Sequence, residues 1–162
     1  GDYLLTIGQA DDGWGNAALQ IFDVRDGAHP LLVHKHVLPG GESEAEYSHK
    51  AFTFYQGMLA IPFSSWDGYA ASTLELFAID VTAGISPIGS ISHSSFFEQM
   101  TEQQYSCSYY GGQVRRGVFI DDYVYSVSEG GVLVNDLTQD LSLVASLALP
   151  TLGSDYYECT YY

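Results

Sequence analysis

Three aspartates recur at a near-constant interval, each inside a short run of β-prone residues. Asp23 lies in ALQIFDV (Ala18–Val24), Asp80 in TLELFAIDV (Thr73–Val81) and Asp136 in VLVNDL (Val132–Leu137). The spacing is 57 residues from 23 to 80 and 56 from 80 to 136. After each aspartate comes a short polar link and a further β-prone run: Leu31–Leu38, Ser86–His93 and Leu143–Leu149. A fixed period of this length marks a repeat architecture, in which one supersecondary unit is used repeatedly.

The last copy shows the whole unit. Val114–Ile120, an Asp121-Asp122 turn, Tyr123–Ser128, a Glu129-Gly130-Gly131 turn, Val132–Leu137 and Leu143–Leu149 read as four strands joined by tight links. Four antiparallel strands in a meander make one blade of a β-propeller. The middle copy repeats the first half as Ala51–Tyr55, a Gln56-Gly57 turn and Met58–Phe63, whereas Tyr3–Gly8 has the place of a second strand with nothing ahead of it. The predicted fold is therefore all-β: a β-propeller of about three consecutive four-stranded blades, the first incomplete, at approximately 1–40, 48–94 and 113–150. An insertion falls at 94–113, where Phe96, Phe97 and Met100 offer one face of a short helix or a loop clamp, and residues 151–162 form a Tyr-rich tail.

Known propellers close with roughly four to eight blades, so three imply a larger ring. Leu4, Leu5 and Ile7 at one end, and Val144, Leu147 and Leu149 at the other, read as core needing cover. The expected partner is the remainder of the chain's own propeller, its N-terminal blades, or a second copy.

Charge narrows the partners. Five Lys and Arg against twenty Asp and Glu leave a net charge of −15, which repels phosphate backbones and anionic lipid. Nucleic acid is excluded on that ground. Membrane insertion is excluded because no apolar run approaches the ~20 residues a spanning helix needs.

SHKAF (Ser48–Phe52) followed by GMLAIP (Gly57–Pro62), with the early LLTIG and LQIFDV and the later VRRGVFIDDYVYSVSEGGVLVNDL, is distinctive. Together these residues resemble the C-terminal part of a family of secreted prokaryotic β-propeller-domain proteins, distantly related to WD40 repeats. The resemblance runs from Tyr3 to Leu149 and is weakest in the insertion and the tail. It implies an extracytoplasmic protein (secreted, periplasmic or at the cell surface), normally on a longer chain, and it supplies no catalytic residues. In such a compartment Cys107 and Cys159, both in polar Tyr-rich settings, are expected to form a disulfide.

Function on a rigid β scaffold belongs to its long connections. Asp11, Asp12 and Asn16 in DDGWGN supply oxygens suited to Ca²⁺, with Asp67, Glu42, Glu44 and Glu46 as helpers; the plainer reading is a Gly/Asp turn. Trp14, Trp66, Tyr69, Tyr109 and Tyr110 would ring one mouth and stack on a ligand, or pack between blades. His34, His36, His49 and His93 stand at no ligand-like spacing; His34 and His36 share a strand face that could hold a transition metal, and His49 reads as structural. Arg115-Arg116 reads as cement between blades, one arginine pairing with Asp121, Asp122 or Asp136. The expected function is a calcium-stabilised binding or scaffold module for a protein, peptide or glycan. The alternative is a hydrolase or lyase acting on polysaccharide or peptide at the channel mouth.

Overall fold

The computed structural model describes residues 1–11, 15–66, 72–96 and 113–150. Twelve strands within them form three antiparallel sheets that follow one another along the chain. The first sheet holds β1 (Tyr3–Gln9), β2 (Ala17–Asp23) and β3 (Leu31–Leu38). The second holds β4 (Gly41–Glu42), β5 (Thr53–Tyr55), β6 (Met58–Ser65), β7 (Ser72–Asp80) and β8 (Gly84–Ser92). The third is a four-stranded meander of β9 (Val114–Ile120), β10 (Tyr123–Ser128), β11 (Gly131–Asp136) and β12 (Ser142–Ala148). This is the predicted all-β architecture of consecutive propeller blades, the first lacking its first strand.

The recurring aspartates close the turn before the last strand of every sheet, β2 to β3, β7 to β8 and β11 to β12. The Asp23 carboxylate accepts from the Arg25 amide, Asp80 from Thr82 and Ala83, and Asp136 from Thr138. An Asx turn of this kind satisfies amides that the ladder leaves behind, which is why a short carboxylate side chain recurs there. Beyond each turn the register slips by one residue, leaving Val33, Ile88 and Val144 opposite no partner and pointing outward. Val144 is thus a bulge residue rather than core.

The second blade departs from prediction at its first strand. Instead of a strand over Ala51–Tyr55, the chain pairs with β6 twice, at Gly41–Glu42 and again at Thr53–Tyr55. Between them lie two 3₁₀ turns, Glu44–Glu46 and His49–Ala51, so SHKAF is mostly a turn. The cause lies in β6. Pro62 has no N–H to give a first strand, and its carbonyl accepts instead from the Ser43 hydroxyl. Ser43 and Glu46 then form a reciprocal capping box that starts the first turn. The second sheet therefore reaches back to Gly41, ahead of the boundary at 48.

Two cores join the three sheets. Alternation sends Leu5 and Ile7 of β1, with Ala17 and Leu19 of β2, onto Leu59, Ile61 and Phe77 of the second sheet. Leu5 and Ile7 are thus covered within the chain, while Leu4 on the opposite face is exposed. The other face of the second sheet, Ala60, Leu74, Leu76 and Ile91, packs on Val114, Val124 and Leu133 of the third. Gly117 makes that approach possible: a Cβ there would lie 2.8 Å from a Leu74 methyl and 2.9 Å from the Ala60 Cβ. Strand β9 lies against β5, β6 and β7, whereas β12 is exposed along its whole length.

Candidate functional site

Loops of neighbouring blades meet at Gly40-Gly41. The Gly41 amide donates to the Gly15 carbonyl (2.7 Å), and the Gly40 amide donates to Asn16 Oδ1 (2.9 Å). The Gly40 carbonyl in turn accepts from the Trp66 amide (2.7 Å). Gly15 adopts positive φ (87°), and a Cβ there would lie 2.8 Å from Trp66 Nε1. A glycine is required on both counts. The β1–β2 loop and the end of β6 are thereby knitted into one rim, on which Trp66 stands 50% exposed.

The predicted metal and aromatic residues divide between this rim and segments outside the described residues. Asp11 projects from the rim with its side chain 95% exposed, 3.3 Å from the Lys35 ammonium. Asn16 is engaged by Gly40, as above. Asp12, Trp14, Asp67, Tyr69, Tyr109 and Tyr110 lie outside the described residues, as do Phe97, Met100, Cys107, Cys159 and the tail. Two of the proposed helpers are engaged elsewhere. Glu46 caps its own turn, and Glu44 accepts from Arg115. Among the described residues no group of three or more His, Cys, Asp or Glu converges.

Arg115 does cement two blades, with partners other than those expected. Its guanidinium lies 3.2 Å from Glu44 of the second blade and 3.0 Å from Glu129 of its own. It is the bulged residue of β9, skipped between Arg116 opposite Val127 and Val114 opposite Ser128, which aims it sideways across the joint. Of the expected partners, Asp121 stays in its hairpin turn at positive φ and Asp136 in its Asx turn. Tyr47 stands exposed on the same split segment. Partial desolvation, then the Glu42 and Glu44 carboxylates, hold its phenol above the usual range.

The histidines are structural partners. His34 Nε2 lies 3.1 Å from the Val81 carbonyl, and His36 stacks edge-on against Phe77 at 5.2 Å, each joining the first blade to the second. The two rings share a face as alternation requires, yet they serve different contacts. His93 forms a constellation that sequence reasoning missed. Its Nε2 lies 2.7 Å from Ser126 Oγ and its Nδ1 2.8 Å from Ser128 Oγ. Ser128 Oγ also accepts the Gly130 and Gly131 amides and lies 3.4 Å from the Gly131 carbonyl, tying the ring to the turn between β10 and β11. Burial pushes the imidazole down to about 4. A serine 2.7 Å from a histidine has the spacing of a nucleophile and its base, but His93, Ser126 and Ser128 are buried beneath Phe96. Their bonds lock the end of β8 to β10. Of the three residues expected to form a helix face or loop clamp in the insertion, Phe96 packs on His93, and Phe97 and Met100 lie outside the described residues. The signal in the sequence was serine at two core-facing positions of β10.

Residues 1–139 match the model of a family described as Beta propeller domain. No curated protein and no solved structure matches the chain.

Proposed function

We propose that this chain, which belongs to the β-propeller domain family, is a non-catalytic binding or scaffold module of an extracytoplasmic compartment, offering the rim around Trp66 to a glycan, a peptide or a protein loop. The observation that carries this reading is the held, half-exposed indole of Trp66 where loops of two blades are knitted together by backbone bonds. An aromatic platform fixed before the ligand arrives loses little entropy on binding, and it stacks on flat apolar faces. The net charge of −15 suits a soluble, secreted surface and selects against anionic ligands. A hydrolase or lyase would need converging carboxylates or histidines in an accessible cleft. Among the described acids, Asp80 serves an Asx turn, Glu46 a capping box and Glu44 an ion pair instead.

Two further features belong to this reading. Calcium on the exposed Asp11 carboxylate and its loop would tie the rim together, and a bridge between Cys107 and Cys159 would anchor the tail. Excess chelator should then lower the melting temperature, and non-reducing mass analysis should show a protein two hydrogens lighter than its dithiol.

The test of the main reading is labelled protein on arrays of polysaccharides and peptides, compared with Trp66→Ala. Trp66 is half-exposed, so the variant should melt as the parent does while losing at least tenfold in affinity for whatever the parent retains. Equal binding by the two proteins, or no binding by the parent, would overturn it.

A further inference from the structure

The joint between the second and third sheets encloses a titratable ring among hydroxyls. His93, Ser126 and Ser128 are all buried, and the ring meets one serine at each nitrogen, at 2.7 Å and 2.8 Å. A neutral imidazole has one donor and one acceptor nitrogen, so it can give a hydrogen to one hydroxyl and take one from the other. A protonated ring donates at both. The hydroxyl hydrogen of Ser126, which has no other partner among the described residues, then has no acceptor.

No charge of opposite sign faces the ring among the described residues. Arg115 of β9 engages Glu44 and Glu129, the acid that follows Ser128. Arg116 of β9 and Tyr125 of β10 stand on the face turned away from the second sheet. Glu75 of β7 lies opposite Ile61, on the face toward the first sheet, and accepts from Thr73. Asp136 is held in its Asx turn at the far end of β11. Burial alone therefore holds the ring down at about 4.

The joint between the first and second sheets answers acid differently. His34 crosses it to the Val81 carbonyl at 3.1 Å, and a carbonyl accepts from a protonated ring as it does from a neutral one. The Gly41 amide crosses it to the Gly15 carbonyl, a bond that does not titrate. The apolar contacts of Leu59, Ile61 and Phe77 with the first sheet are likewise indifferent to pH.

We propose that the joint between the second and third blades is an acid-released hinge: proton uptake by His93 favours a form in which the third sheet has parted from the second, while the first and second stay joined. The parted form takes up the proton in the ordinary histidine range and the closed form only in stronger acid. Each pH unit lost between about 6.5 and about 4 therefore multiplies the parted population by up to about tenfold. The inference concerns the joint alone and is independent of what the Trp66 rim binds.

The test is amide hydrogen exchange followed by NMR and expressed as protection, so that the intrinsic pH dependence of exchange cancels. Each joint supplies its own reporter. The Val114 amide donates to Ser72 Oγ across the second joint at 2.8 Å, and the Gly41 amide donates across the first at 2.7 Å. From about pH 6.5 to about pH 4.5, Val114 protection should fall about tenfold or more, in step with titration of the His93 ring. Gly41 protection should not fall with it. His93→Gln should flatten the Val114 profile; if that variant does not fold, the parent's two profiles and its ring titration still decide. Three outcomes overturn the proposal. One is Val114 protection that holds through the window. Another is an equal fall at both amides, which would mean global unfolding. The third is the same fall at Val114 in His93→Gln, which would assign it to another group.

Discussion

His93 Nε2 lies 2.7 Å from Ser126 Oγ, a bond made between two fully buried residues across the joint of the second and third blades. Buried polar groups are tolerated only when paired, and this pair is completed by Ser128 on the other ring nitrogen. The blade one step earlier uses Leu59 and Ile61 where the third has Ser126 and Ser128, so the polar joint occurs once rather than in every blade.

Replacing His93 by leucine should cost on the order of 2–4 kcal/mol, because two buried hydroxyls lose their partner. The pH dependence gives a separate signature. The folded imidazole titrates near 4 and the unfolded one near 6.5, so the unfolded chain takes up the proton first. Stability from this group is complete above about pH 6.5 and is lost as the pH falls toward 4. The whole change is on the order of 3 kcal/mol. Denaturant melts at intervals across that window should show the slope in the parent and a shallower one in His93→Gln. Equal slopes would remove His93 from the account.

The aspartate turns make a prediction at lower pH. Hydrogen bonds from the Ala83 and Thr82 amides hold the Asp80 carboxyl below its usual range; the Thr138 hydroxyl and then its amide do the same for Asp136. A depressed carboxyl contributes stability that is present above the ordinary aspartate range and lost as the pH falls through the folded value. Asp80→Ala should therefore melt lower than the parent at neutral pH, with the difference shrinking in strong acid. Asp80→Asn, which keeps an acceptor oxygen, should lose less.

Gly117 sets the spacing of the second and third blades. Gly117→Ala places a methyl 2.8 Å from Leu74 and 2.9 Å from Ala60, and overpacking of this kind should cost about 1–3 kcal/mol. Gly8 offers the control, since a Cβ there meets nothing within 4 Å. If Gly8→Ala and Gly117→Ala unfold at the same denaturant concentration, close packing at this joint is not what Gly117 provides.

The Arg115 bridge should matter little for stability despite its position. The side chain is more than a third exposed, so solvent screens its two ion pairs. A double-mutant cycle of Arg115→Ala with Glu44→Gln should give a coupling below about 1 kcal/mol that falls further in high salt. A coupling unaffected by salt would point to packing by the arginine stem instead.

Local chemistry carries much of this fold. Strands β3, β9 and β10 begin and end at the residues their β-prone runs and turn dipeptides indicate, because alternation and turn preference act over neighbouring residues. The interval between Asp23, Asp80 and Asp136 reports the blade directly, since each closes the same Asx turn. At the rim, the long connections were legible from their length, and the structure adds that Trp66 stands half-exposed among them. The split first strand of the second blade also had a local cause in Pro62, but the cause becomes apparent only once the Pro62 carbonyl is seen to need Ser43.

What tertiary structure alone decided is which distant groups meet. Arg115 lies 71 residues from Glu44, and His93 lies 33 from Ser126 and 35 from Ser128. Gly40 joins Asn16 to Trp66 across a blade boundary. None of these pairs follows from spacing or alternation, because each depends on how one sheet is laid on the next. A register slip at Ser128 turns Arg115 toward Glu44, away from the aspartates nearer to it in sequence. The amino-acid sequence by itself determined the blades, because their period and turns are local properties of the chain. The joints between blades were decided by face-to-face packing, in which the shape and polarity of two sheets must be satisfied together.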